Sequence, residues 1–144
     1  MRVGDVKVIV RHPPPPDWER QRVRNDDSLV LEIRHDDVSF LLRGDIGSEV
    51  EATLLTGPGR PGHLVLKVPH HGSRTSNSQP FVDALKPSVA IVSAGCHNRF
   101  GHPDPAVVRR YTASGTRLLL TGDVGAVTVC SDGRDVGVET LASG

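Results

Sequence analysis

The apolar residues of this chain fall in short runs separated by glycine, proline and polar residues, and that punctuation restricts the fold more than any other feature. The runs lie at residues 6–10, 28–34, 38–42, 64–68, 89–92, 117–120, 126–130 and 136–141. Each has the length of a β-strand, and none approaches the roughly 20 residues needed to cross a bilayer as a helix. Pro13, Pro14, Pro15 and Pro16 stop the first run, because proline lacks the amide donor of a sheet ladder, and the stretch to Asp27 reads as a polar loop. The second and third runs flank His35-Asp36-Asp37, a hairpin signal.

Helix signals stand between the later runs. Ser48, with Glu51 three residues on, has the spacing of a capping box and starts a short helix that the Thr56-Gly57-Pro58-Gly59 breaker ends. Pro80 suits the first turn of a helix to Leu85. Asp104 and Pro105 read as helix cap and first helical residue, with Val107, Val108 and Tyr111 as the apolar stripe. Strands and helices alternate in the middle and hairpins lie toward both ends. The expected class is therefore α/β, a mixed β-sheet with flanking helices, as one domain over residues 1–144.

Charge and cysteine usage narrow the function. Lys+Arg and Asp+Glu are equal at 17 each, which excludes a broad basic face holding nucleic acid by charge alone; any such contact must be local. Cys96 and Cys130 are far apart and in no Cys-x-x-Cys arrangement, so neither a zinc ribbon nor a redox motif is offered. Both are expected to be reduced and at least one buried. The N-terminus lacks the basic-then-apolar order of a signal peptide, and the chain as written is expected to be cytoplasmic.

Three polar loops follow apolar runs, where sheets flanked by helices commonly bind ligands. They are Gly44-Asp45, His70-His71-Gly72-Ser73, and His97-Asn98-Arg99-Phe100-Gly101-His102-Pro103. Asp45 has two readings: it caps the helix that follows, or, with Ser48 as the cap, it is a carboxylate beyond a buried strand that wants a cation or donors. The histidine pair is either filler or a metal site. Neutral imidazole suits zinc or manganese, and Ser73, Arg74, Thr75, Ser76 and Asn77 are donors suited to phosphate oxygens. His97, Asn98, Arg99 and His102 are donors and proton carriers, or exposed members of a solvated loop. Residues 41–47 are nearly echoed at 119–125, so Asp45 and Asp123 compete for one role.

Taken in order, four stretches resemble the metallo-β-lactamase-like domain of the ComEC family. They are Asn25-Asp26-Asp27-Ser28-Leu29-Val30-Leu31; Ser39-Phe40-Leu41-Leu42 with Gly44-Asp45; Leu66-Lys67-Val68-Pro69-His70-His71-Gly72-Ser73 with Thr75-Ser76-Asn77-Ser78; and Ser93-Ala94-Gly95 with the loop from His97 to Pro103. The likeness runs from the first strand to about Val129. It implies the C-terminal half of an αββα sandwich and hydrolysis of phosphodiester bonds with a divalent metal, zinc or manganese. In that family the implied task is degradation of the DNA strand that is not imported, by a domain carried on a bacterial inner-membrane protein. The resemblance matches Asp45 to the aspartate between the metals and one of His70 or His71 to the late histidine ligand. Phosphate-contacting or proton-donating roles fall to His97, Asn98 and His102, and substrate contacts to Ser73, Arg74, Thr75, Ser76 and Arg99.

The chain departs from the family pattern in three places. The early His-x-His-x-Asp-His motif is absent, since His12 and His35 are the histidines that precede His63; Arg43 stands where threonine is usual; and Thr121-Gly122-Asp123 replaces an Asp-Arg-Asp-Gly-like stretch, which makes Asp123 a turn residue. A catalytic zinc takes three protein ligands, and this chain offers two, Asp45 and one histidine. The expectation is an incomplete site, weak or inactive in the isolated chain and completed in a homodimer or by a complementing N-terminal half. The alternative is a non-catalytic remnant that binds nucleic acid or a partner.

Overall fold

In a computed structural model, residues 1–14, 24–56 and 62–141 are described. Strands β1 (Arg2–Val3), β2 (Val6–His12), β3 (Val30–His35), β4 (Val38–Arg43), β5 (His63–Lys67), β6 (Val89–Val92) and β7 (Arg117–Leu120) form one sheet in chain order. β1 to β4 pair antiparallel, and β4 to β7 pair parallel. The change comes where helices begin to intervene, because a parallel return needs a crossover. The crossovers carry α1 (Ser48–Leu54), α2 (Gln79–Leu85) and α3 (Pro105–Ala113). A helical turn, α4 (Thr121–Val124), then leads to a separate hairpin of β8 (Val127–Ser131) and β9 (Val136–Thr140).

Two cores follow from the alternation of side chains along the strands. On one face Leu41, Leu66, Ala90 and Val92 meet Ile46 and Val50 around α1, Phe81 and Val82 of α2, and Val107 and Tyr111 of α3. Burying each of the larger aliphatic or aromatic groups contributes about 1.5–3 kcal/mol before chain entropy is set against it. On the other face Val65, Val89 and Leu119 are covered by Val127, Val129, Val136 and Val138 of the hairpin. The molecule is thus mixed α/β, a seven-stranded mixed sheet with helices on one side and a small facing sheet on the other, in the class expected from the runs.

Local expectations hold where the signal is local. The β3–β4 turn reduces to Asp36-Asp37, with Asp36 at φ 47°, a conformation aspartate tolerates. Asp104 accepts from the Ala106 amide at 2.8 Å and Pro105 opens α3. β1 and the turn of α4 are additions to the sequence reading. Residues 15–23 of the expected polar loop and 57–59 of the expected breaker lie outside the described residues.

Two expectations are corrected. Ser48 is the first residue of α1, not its cap; Gly47 holds the cap position, and its amide is taken by Asp26 Oδ1 at 2.7 Å. Glu51 does not reach back to that end either. Its buried carboxylate accepts the amides of Asn77 at 2.5 Å and Ser78 at 2.9 Å, because buried amides cost more to leave unpaired than exposed ones. Cys96 and Cys130 are both free, but neither is buried: Cys96 sits in a surface loop and Cys130 on the outward side of β8. Among the described residues no helix is long and apolar enough to cross a membrane.

Candidate functional site

Parallel strands β4 to β7 all point the same way, so the loops after them gather along one edge of the sheet. The Asp45 loop follows β4 and is held from below by the turn before β3. Gly44 lies so close to Ser28 that a Cβ there would stand 2.6 Å from Ser28 Cβ, and the Asp45 amide donates to Ser28 Oγ at 3.2 Å. With Asp26 fixing Gly47, this leaves the half-exposed Asp45 carboxylate directed outward.

The histidine loop follows β5 as a kinked turn over Pro69–Gly72 in which His70 and His71 both take left-handed backbone conformations, φ 49° and 52°. That conformation costs roughly 1–2 kcal/mol per residue for a side chain with a Cβ, and it persists where the surroundings enforce it. Here they do so. Asn77 Nδ2 donates to the carbonyls of Pro69 at 3.3 Å and Ser73 at 3.2 Å, and the His70 amide donates to Gly44 O at 3.4 Å. Asn77 is itself held by Tyr111, whose hydroxyl donates to Oδ1 at 2.7 Å, and by Arg110 on its carbonyl at 2.8 Å. Burial pushes the Tyr111 phenol well above its ordinary pKa, with Glu51 pushing the same way and Arg43 and Arg110 opposing, so the hydroxyl stays a donor.

The turn sends the two imidazoles apart. His71 Nδ1 lies 2.6 Å from the Ser93 carbonyl, which can only accept, so Nδ1 carries the hydrogen and Nε2 is left with the lone pair when the ring is neutral. Nε2 faces Asp45 Oδ1 at 3.9 Å, and both side chains are half exposed. His70 faces away, with Nδ1 3.5 Å from Thr75 Oγ1 and its ring edge-on to His102 at 6.1 Å between centroids.

The third loop, after β6, is closed by Asn98. Its Nδ2 donates to the carbonyls of Gly95 at 3.1 Å and His102 at 2.6 Å, and its Oδ1 accepts the His102 amide at 3.0 Å. The Asn98 amide is spent on holding the loop, which presents the His102 ring toward His70 and stacks it on Phe100 at 6.0 Å and 18°. Thr121 joins from the start of α4, just after β7, exchanging hydrogen bonds with Ala94 at 3.1 and 3.2 Å, and Cys96 Sγ donates to the Gly122 carbonyl. A cavity of about 310 Å³ opens between His71, Ser93, Asn98, Phe100, His102 and Thr121. A smaller one of about 200 Å³ beside it takes in the exposed His97, Cys96 and Asp123.

The expected site residues are therefore divided. His71, Asn98 and His102 line one cavity, Asp45 stands beside it against His71, and His70 reaches it through its ring contact with His102. Ser73 is buried and exchanges hydrogen bonds with Thr75, Oγ to Oγ1 at 3.0 Å. Ser76 turns into the core and donates to the Ile46 carbonyl at 2.6 Å, so its hydroxyl does not reach the open side. Arg74 extends into solvent with its Nε 3.9 Å from Asp104 Oδ2, and Arg99 lies over the Phe100 ring at 4.7 Å. Sequence reasoning missed the Ser93 carbonyl, the Ser28 and Asp26 supports and Phe100; the supports stood in the Asn25 to Leu31 stretch without a visible purpose.

Asp45 and His71 are donors of the kinds that zinc and manganese accept. A carboxylate oxygen and an imidazole nitrogen whose tautomer a carbonyl has fixed are the arrangement metal-binding histidines ordinarily show. They are two donors 3.9 Å apart. Among the described residues no three His, Cys, Asp or Glu side chains converge, which is short of the three a catalytic zinc takes.

No family model matches the chain. It is 33% identical over 127 residues to ComE operon protein 3 of Bacillus subtilis, covering 88% of this chain and 16% of that protein. It is 38% identical over 106 residues to competence protein ComA of Neisseria gonorrhoeae, covering 72% of this chain and 15% of that one. To recombination protein 2 of Haemophilus influenzae it is 35% identical over 106 residues, 72% of this chain and 13% of that protein. The chain thus spans about a sixth or less of the length of these relatives.

Proposed function

The chain belongs to the ComEC family of competence proteins, and from that premise we propose that it contributes one side of a metal-dependent phosphodiesterase site, nuclease-like in its reaction. The observation that carries the reading is His71 Nε2 facing Asp45 Oδ1 at 3.9 Å with Nδ1 committed to Ser93. Asp45 and His71 would hold the ion, zinc or manganese, and His70 is released from that role by its orientation. When bound, such an ion supplies Lewis-acid polarisation of a phosphoryl oxygen and activation of a water.

The chain's own groups account for the rest. Ser93 fixes the His71 ring, and Asn98 fixes the backbone that carries His102. His102 faces the cavity as a hydrogen-bond or proton donor toward a phosphodiester oxygen, with His97 at the neighbouring recess. Arg99 and Arg74 offer exposed charge for phosphates, and Thr75 a hydroxyl. The remaining metal donors come from a complementing segment or from a second copy of the chain, so the chain alone hydrolyses poorly. A second reading, a non-catalytic nucleic-acid-binding module, is favoured by the count of two converging donors.

Calorimetric titration with manganese and zinc separates them. The proposal expects weak but measurable binding, reduced about tenfold or more in Asp45→Ala and in His71→Ala, as loss of a ligand implies, and little changed in His70→Ala. Binding that survives Asp45→Ala, or that fails in His70→Ala and not in His71→Ala, overturns it.

A further inference from the structure

We infer that Phe100 is a stacking platform for an unpaired nucleobase of a strand whose phosphodiester enters this site; the inference rests on the phosphodiesterase reading above. The chain has three phenylalanines, one tyrosine and one tryptophan. Of the aromatic side chains described, Phe81 and Tyr111 are fully buried and Phe40 packs in the second core, whereas Phe100 is 67% exposed. It lines the 310 Å³ cavity, with its ring stacked 6.0 Å from that of His102.

The ring is held ready. The Asn98 clasp and the Gly101 amide, which donates to Asn98 O at 3.1 Å, fix the loop that carries it, so little freedom is lost when a ligand lands. Its face already accepts a flat π group, the Arg99 guanidinium at 4.7 Å. Arg99 is exposed and on a flexible stem. A base that takes its place on the ring leaves the cation free to meet the phosphate of the same strand. Stacking of this kind is indifferent to base identity but needs an unpaired base, since in a duplex both faces are already covered. It also suits a chain with no net charge, which cannot hold a strand by electrostatics alone.

Fluorescence anisotropy at low salt and with a chelator present tests this apart from the metal. The probes are a labelled oligothymidine and an abasic strand of equal length, which carries the same phosphates without bases. Wild type is expected to prefer the base-bearing strand by about 5-fold or more. Phe100→Ala is expected to bind both strands alike, Phe100→Trp to keep the preference, and Arg99→Ala to weaken both equally. Equal binding of the two strands by wild type, a preference that survives Phe100→Ala, or binding of neither strand overturns the inference. Metal titration of Phe100→Ala keeps the two readings distinct, because loss of stacking leaves the Asp45 and His71 donors in place.

Discussion

The neutral His71 ring keeps its lone pair on Nε2 because Ser93, distant in sequence, places a carbonyl 2.6 Å from Nδ1. Nothing in the His70-His71 pair itself distinguishes its members, yet the rings meet different partners: Ser93 and Asp45 for His71, Thr75 and His102 for His70. Tyr111 acts on the same loop from further away, through Asn77. Its raised pKa means that the folded state holds the phenolic proton more tightly than the unfolded chain does. The stabilisation is therefore complete below about pH 10, the ordinary phenol value, and is lost as pH rises through the higher folded value. Tyr111→Phe is expected to lower stability at neutral pH by about 1–2 kcal/mol, leaving Asn77 Oδ1 short of a donor, and to flatten the alkaline fall. Urea denaturation across a pH series measures both effects, and tyrosinate absorbance assigns the titration, since the chain has a single tyrosine.

At the scale of elements, the site depends on how closely two loops approach. Gly72 has φ +82°, and a Cβ there would stand 2.6 Å from Pro103 Cβ, while its carbonyl accepts the Asp104 amide at 3.0 Å. Gly72→Ala therefore strains the backbone and pushes the histidine loop off the His102 loop. It is expected to cost about 1–3 kcal/mol in chemical denaturation and to weaken metal binding. Gly95→Ala, in the same loop system but with nothing within 4 Å of the added carbon, is the control and stays within about 0.5 kcal/mol of wild type. The strands and α3 were legible because their signals are local: apolar runs, a proline stop, an Asp-Pro helix start. The α1 cap was misread because Ser48 and Glu51 have the right spacing, yet the amides of Asn77 and Ser78 compete for the same carboxylate. That competition has no trace in the spacing.

At the scale of the whole molecule, the described residues cover the helix-facing side of the sheet well and the other side only in part. The hairpin shields Val65, Val89 and Leu119. Continuing from Phe40 across the cross-strand rows Val8–Ile33 and Val10–Leu31–Leu42 is a band on the same face, with Val10 51% and Leu42 38% exposed. A contiguous apolar band of this kind favours association. Sedimentation velocity over a concentration series is expected to show self-association in wild type and monomer in the Val10→Lys, Leu42→Lys double variant. A wild-type monomer at every concentration removes the homodimer as the source of the missing metal donors.

By itself the sequence determined the α/β class, most strand positions, the start of α3, and the three loops where polar chemistry gathers. These follow from nearest-neighbour constraints: which residues can pair in a ladder, turn, or cap. Only the tertiary structure decided that His71 and not His70 faces Asp45, that Ser76 is spent on the core, that Asn98 clasps its own loop, and that both cysteines lie at the surface. Each of these depends on a partner brought near by the order of parallel strands. Residue spacing along the chain carries no record of such contacts.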